Sequence, residues 1–199
     1  MLMRRPSLLE SLNCDGRLGL ALAGALALLW LLLAGGPQWT LALRYDRAAL
    51  HEGEWWRLLS AHWVHLSARH LWLDSAGLAL LWALYARELR PWHWLAVLVG
   101  ATAMIDAGLW WAVPQVQWYV GLSGLLHGAW AAGAAAVAMR QPRWGWLMLA
   151  VLAIKLLLEQ RSGASLLVSE FPVVIAAHSF GALGGLGAFA ALALARKPL

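Results

Sequence analysis

A serine and a histidine stand in stretches of this chain where polar side chains are out of place. Ser123 lies in Gly121-Leu122-Ser123-Gly124-Leu125-Leu126-His127-Gly128 and His178 in Ala177-His178-Ser179-Phe180-Gly181, surrounded mainly by glycine and apolar residues. A serine hydroxyl is a poor nucleophile until a nearby imidazole takes its proton. The pair therefore points to acyl transfer, whose tetrahedral intermediate needs hydrogen-bond donors for its negative oxygen. The backbone N–H of Ser123 at a helix N-terminus would be one donor. The segment His65-Leu66-Ser67-Ala68-Arg69-His70-Leu71-Trp72-Leu73-Asp74 offers others, because His70 and Asp74 are four apart and share a helix face. The bland alternative is that the glycines only pack helices and Ser123 caps one.

Other ionisable residues have weaker claims. His127, one turn from Ser123, reads as a second proton carrier, a water holder or a packing residue. Asp106 is expected to be protonated or hydrogen-bonded, in a structural rather than a catalytic role. His51, His62, His65 and His93 are expected at interfaces. The spacing of His62, His65 and His70 fits no standard zinc motif, so no metal and no cofactor is assigned.

These residues need helices to position them, and the composition says in what solvent. The chain is 62% hydrophobic and 13% charged over 199 residues. A soluble domain carries about 25% charged residues. The apolar surplus falls in runs separated by short polar joints, so the expected fold class is an all-α membrane protein. Six spans are predicted: 18–34, 70–86, 92–113, 122–139, 144–158 and 173–195, in a single domain over 1–199. Lys155, near the end of the fifth, is expected to snorkel to the interface.

The net charge of +5 comes from scattered Lys and Arg rather than a basic face, so the expected partner is the lipid bilayer and not nucleic acid. With the N-terminus in the cytoplasm, Arg4, Arg5, Arg17, Arg87, Arg90, Arg140, Arg143, Arg196 and Lys197 fall inside. Arg44, Arg47, Arg57, Arg69 and Arg161 fall outside, diluted by acidic residues that include Glu159 and Glu170. Both termini are then cytoplasmic. Eleven of fifteen tryptophans fall at the expected interfaces, and loop 35–69 reads as short amphipathic helices lying in one. Cys14 is the only cysteine, which excludes an intrachain disulfide.

In this orientation Ser123 starts span four at its outer end and His178 lies one to two turns into span six, so both fall at similar depth, a little below the outer surface. Gly124/Gly128 and Gly181/Gly185 form GxxxG pairs that would let those two helices touch.

The chain resembles the rhomboid intramembrane serine proteases. Glu54-Trp55-Trp56-Arg57 looks like the family's element before span two. His65 through Asp74 looks like its H-x-x-x-x-H-x-x-x-N element, with Asp74 in place of asparagine. Gly121-Leu122-Ser123-Gly124 matches its GxSG motif, and Ala177-His178 with Gly181 its A-H-x-x-G element. The resemblance implies a six-helix rhomboid-like bundle with an interfacial first loop. It implies Ser123 as nucleophile and His178 as base, a dyad with no acidic third member. It implies an oxyanion hole lined by His70 and Asp74 and supported by Gly121 and Gly124, with substrate entry gated by the first loop and span five. An ionised Asp74 would repel the oxyanion, so it is expected either protonated and donating or accepting from His70. Gly-x-Ser-Gly-x-x-His-Gly is similar to the rhombosortase branch. That implies a bacterial inner-membrane enzyme with its site open to the periplasm. Its substrate would be an exported protein with a C-terminal tail of Gly-Gly motif, transmembrane helix and basic end, released to water or an amine acceptor. The alternatives are a general rhomboid protease for other single-span proteins and an inactive relative that binds transmembrane helices.

Overall fold

The computed structural model describes residues 6–165 and 173–195. Arg4, Arg5, Glu170, Arg196 and Lys197 of the charge pattern lie outside these. Six long helices carry the fold: α1 Gly16–Ala34, α2 Ala68–Tyr85, α3 Pro91–Ala107, α4 Ser123–Arg140, α5 Pro142–Ser162 and α6 Ile175–Ala195. Each of the six apolar segments is helical. Among the described residues, three helices are long and apolar enough to cross a membrane: α1, α6, and α3 with the π-helical turn that extends it to Ala112.

Local chemistry sets the boundaries. Pro91 and Pro142 open α3 and α5, where their missing N–H would have had no helical partner. Ser67 caps α2 by accepting from the His70 N–H at 3.2 Å, which fixes the turn that carries His70. The α5 helix runs to Ser162, past the expected end at 158, and stops at Gly163 in the left-handed conformation, φ 65°. The extension takes Glu159 out of the outer loop, where its charge had placed it, and into a helix.

The centre is α4, which buries eleven of its 18 residues, nearly all Gly, Ala or Leu. Its partner α6 lies against it backbone to backbone. A Cβ on Gly181 would meet the Gly124 carbonyl oxygen at 2.0 Å, and one on Gly185 the Gly128 oxygen at 2.3 Å. The ascending match, 124 with 181 and 128 with 185, makes the two helices parallel. On its other side α6 meets α3, where a Cβ on Gly184 would lie 2.3 Å from the Gly100 oxygen. Small residues give this closeness where lipid provides no hydrophobic drive between helices. Large side chains point outward instead, with Leu194 82% and Trp111 77% exposed. A soluble monomer would not leave such a surface bare.

The first loop is a unit of its own, held by polar bonds. Buried Arg57 binds Glu54 Oε2 at 2.6 Å and the carbonyls of Leu41 and Arg44 at 2.8 and 3.0 Å. Strand β1, Tyr45–Asp46, pairs antiparallel with β2, Trp118–Tyr119, and so ties this loop to the segment leading into α4. Arg47 donates to the Leu109 carbonyl at 2.5 Å and the Trp110 carbonyl at 3.3 Å within the π-helical turn.

Candidate active site

Ser123 is the first residue of α4, so its N–H has no intrahelical acceptor. The turn before it is tightly specified. Gly121 has φ 119°, open to glycine and strained for other residues, and a Cβ there would lie 2.8 Å from His70 Nε2. The Gly121 N–H donates to the Ala61 carbonyl at 3.0 Å, and the Gly121 carbonyl accepts from the Tyr119 hydroxyl at 2.8 Å. Burial pushes the Tyr119 hydroxyl above its usual range, which keeps it a neutral donor.

The glycine seam brings His178, in the first turn of α6, to Ser123. The distance from Ser123 Oγ to His178 Nε2 is 3.0 Å. The other ring nitrogen, Nδ1, lies 3.0 Å from Glu159 Oε2 on α5. A carboxylate only accepts, so Nδ1 carries the proton and Nε2 is free to accept from the serine. The same reasoning assigns His127. Its Nδ1–H donates to the Ser123 carbonyl at 2.7 Å, and its Nε2 accepts from Lys155 Nζ at 2.8 Å. Lys155 also binds Glu159 Oε2 at 2.8 Å. The His127 ring stacks on that of His178, centroids 4.1 Å apart and planes 13° apart. Beside these groups is a cavity of about 200 Å³, whose walls include Leu73, Leu80, Leu126 and Trp130 and which reaches Ser123 and His178.

The motifs along the chain now have a common frame. The rhomboid domain family matches residues 52–195.

The chain belongs to the rhomboid family.

No curated protein matches it. Rhomboids are typically intramembrane serine proteases, which act on membrane proteins, and the mainly helical, apolar chain fits a membrane protein of that kind.

Several expectations change in this rhomboid. His178 does have an acidic neighbour: Glu159 is 0% exposed and hydrogen-bonded to it. Sequence reasoning missed it because it counted Glu159 as an outer-loop charge. The available signal was Lys155 and Glu159 at i,i+4 in the otherwise apolar stretch 144–159. Nor does Lys155 snorkel, since its ammonium turns inward to Glu159 and His127.

Asp74 lines the cavity, but its Oδ2 accepts from the Leu122 N–H at 2.9 Å and pairs with His65 Nε2 at 3.0 Å. The corresponding distance to His70 Nε2 is 3.6 Å, too long for a hydrogen bond. Asp74 therefore holds the turn before Ser123, and the ring it engages is that of His65 rather than His70. That oxygen accepts the Leu122 N–H, so Asp74 anchors the turn that leads into Ser123.

His70 lines the cavity together with Ser123. Gly124 lies in the seam with α6, where its carbonyl faces Gly181. Asp106 is hydrogen-bonded as expected, to His62 Nε2 at 3.3 Å. His62, His65 and His93 are buried, whereas His51 is exposed. Two groups, His65/His70/Asp74 and His127/Glu159/His178, bring potential metal-ligand atoms within 4.8 Å of one another. In the second the Lys155 ammonium already fills the cation's place; in the first, Asp74 Oδ2 is engaged by a backbone N–H.

Proposed function

We propose that this rhomboid is a six-span intramembrane serine endopeptidase of the bacterial inner membrane, of the rhombosortase type. It would have both termini in the cytoplasm and its site open to the periplasmic side. The observation that carries the serine chemistry is the 3.0 Å contact between Ser123 Oγ and the unprotonated Nε2 of His178. The substrate's transmembrane tail enters from the bilayer and unwinds near its small residues. Ser123 Oγ attacks the exposed carbonyl carbon while its proton passes to His178 Nε2. The new oxyanion faces the Ser123 N–H and His70. Collapse of the intermediate breaks the C–N bond, and His178 returns the proton to the leaving amine. Water or an amine acceptor then resolves the acyl-enzyme.

The parallel α4–α6 seam supports equal depth for the two residues. His127, at the position that distinguishes the rhombosortase motif, supports the branch through its place against His178. The substrate on this reading is an exported protein whose C-terminal tail consists of a Gly-Gly motif, one transmembrane helix and a basic end.

The test is co-expression with such a substrate, reading its mature C-terminus by intact mass. Loss of the tail with wild type but not with Ser123→Ala is the expected result, and added mass at the new terminus would reveal an amine acceptor. Normal processing by Ser123→Ala would overturn the serine chemistry. Cleavage of other single-span proteins, with none of the tailed substrate, would make the enzyme a general rhomboid protease. Failure of a reactive-serine probe to label Ser123, with no cleavage of any substrate, would make it an inactive helix-binding relative.

A further inference from the structure

We propose that Glu159 is the positioning acid of a Ser123–His178–Glu159 triad, with Lys155 holding its carboxylate in place. The proposal rests on the reading of Ser123 and His178 as nucleophile and base.

The geometry requires something to choose between the two nitrogens of His178. Stacking on His127 sets the plane of the ring, but a half-turn about Cβ–Cγ would put Cδ2 in the place of Nδ1 and Cε1 in the place of Nε2, and a change of tautomer would move the proton to Nε2, neither at any cost to the stack. The bond from Nδ1–H to Glu159 removes this freedom and leaves Nε2 bare toward Ser123. A fully buried carboxylate is expensive unless paired, and Glu159 is paired on two sides. Lys155, one turn back on the same helix, holds it from α5, and His178 meets it from α6. Next in sequence, Gln160 Nε2 donates to Ser179 Oγ at 3.0 Å, so consecutive residues of α5 tie to consecutive residues of α6. That pair of bonds sets the register that brings Glu159 to the ring.

In the acylation step the Ser123 O–H bond breaks as the Oγ–carbon bond forms, and the proton goes to Nε2. His178 is then an imidazolium, with the carboxylate facing its Nδ1–H. Glu159 takes no proton; it orients the ring and stabilises the cation. The groups facing His178 are Ser123 and His127 from α4, Lys155 and Glu159 from α5, and His70 from α2.

The experiment is steady-state proteolysis by the full chain in detergent or liposomes, comparing wild type, Ser123→Ala and Glu159→Gln across pH. For Glu159→Gln, kcat should fall on the order of 10²-fold or more. KM should change by less than about threefold, because substrate does not touch this residue. The acid limb of kcat/KM should move to lower pH, since an imidazolium without its anion forms less readily; a merely structural role would leave that limb in place. Unchanged kcat and an unmoved acid limb, with Ser123→Ala inactive, would overturn the triad and leave the serine reading intact. Activity in Ser123→Ala would overturn both. Where Glu159→Gln fails to fold because Lys155 is left buried and unbalanced, the double variant Glu159→Gln/Lys155→Met removes the stray charge. The same loss of kcat is expected there, and wild-type kcat would overturn the proposal.

Discussion

The two helices that meet α4 near the site do so in opposite ways. Between α4 and α6 the contact is backbone on backbone, with glycines facing carbonyls at Gly124/Gly181 and Gly128/Gly185. The α5 helix buries only Gly145, Leu152 and Glu159, one residue every seven. It meets the α4 backbone closely near its start, where a Cβ on Gly145 would lie 2.2 Å from the Ala138 nitrogen. At the site it reaches in through the long side chains of Lys155 and Glu159. The first contact fixes where Ser123 and His178 stand, because packed backbones have little freedom. The second fixes how the His178 ring is turned and which nitrogen carries its proton. Errors in the two should differ in kind: the seam should fail as structure, and the α5 contact as chemistry.

Breaking the seam should have the largest effect. Gly181→Ala places a methyl 2.0 Å from the Gly124 oxygen, a backbone atom that cannot step aside. We expect a loss of about 3 kcal/mol or more of stability, read as a lower Tm in detergent, together with loss of proteolysis. Next is Gly121→Ala, which combines a left-handed φ with a clash against His70. Its activity should fall about 10²-fold, since an error of 1 Å at a reacting atom costs that much. Its Tm should fall less than that of Gly181→Ala, because the seam is untouched.

Lys155→Met sharpens the comparison from the α5 side. The bond from His178 to Glu159 survives while the carboxylate loses its clamp. A fall in kcat of about tenfold, equivalent to roughly 1.4 kcal/mol, is expected, smaller than for Glu159→Gln. An equal fall in both would mean that Lys155 does more than hold Glu159.

The smallest effect should come from Asp46, far from the seam. Burial raises its carboxyl pKa, but Arg44, bonded at 2.7 Å, outweighs this and holds it below the usual carboxylate range. The folded value lies below the unfolded one, so its contribution is complete above about pH 4. It is lost as pH falls through the folded value. The pair is partly solvated, so Asp46→Asn should cost about 0.5 kcal/mol at neutral pH. The difference in Tm from wild type should vanish toward pH 2.

The readable parts of the site were those written in local pattern. Gly121 and Ser123 announce a turn into a helix, and the two GxxxG pairs announce a contact between helices. Because Gly124/Gly128 and Gly181/Gly185 lie beside Ser123 and His178, their spacing also told which two helices meet. Asp74 was legible as a member of the site but not in its task, because its partners His65 and Leu122 come from two separate loops. Glu159 was hidden by its neighbours Gln160 and Arg161, which made the end of α5 look like loop.

The sequence by itself determined the six helical segments, the seam and the pairing of Ser123 with His178, because each follows from apolar runs and small residues at fixed spacing. Only the tertiary structure decided the partners of the long polar side chains. Whether Lys155 turns to the interface or inward, and whether Glu159 is solvated or bound to His178, depends on the rotation of α5 against α4 and α6. One weak apolar stripe cannot specify that rotation, whereas a buried carboxylate meeting an imidazole and an ammonium can.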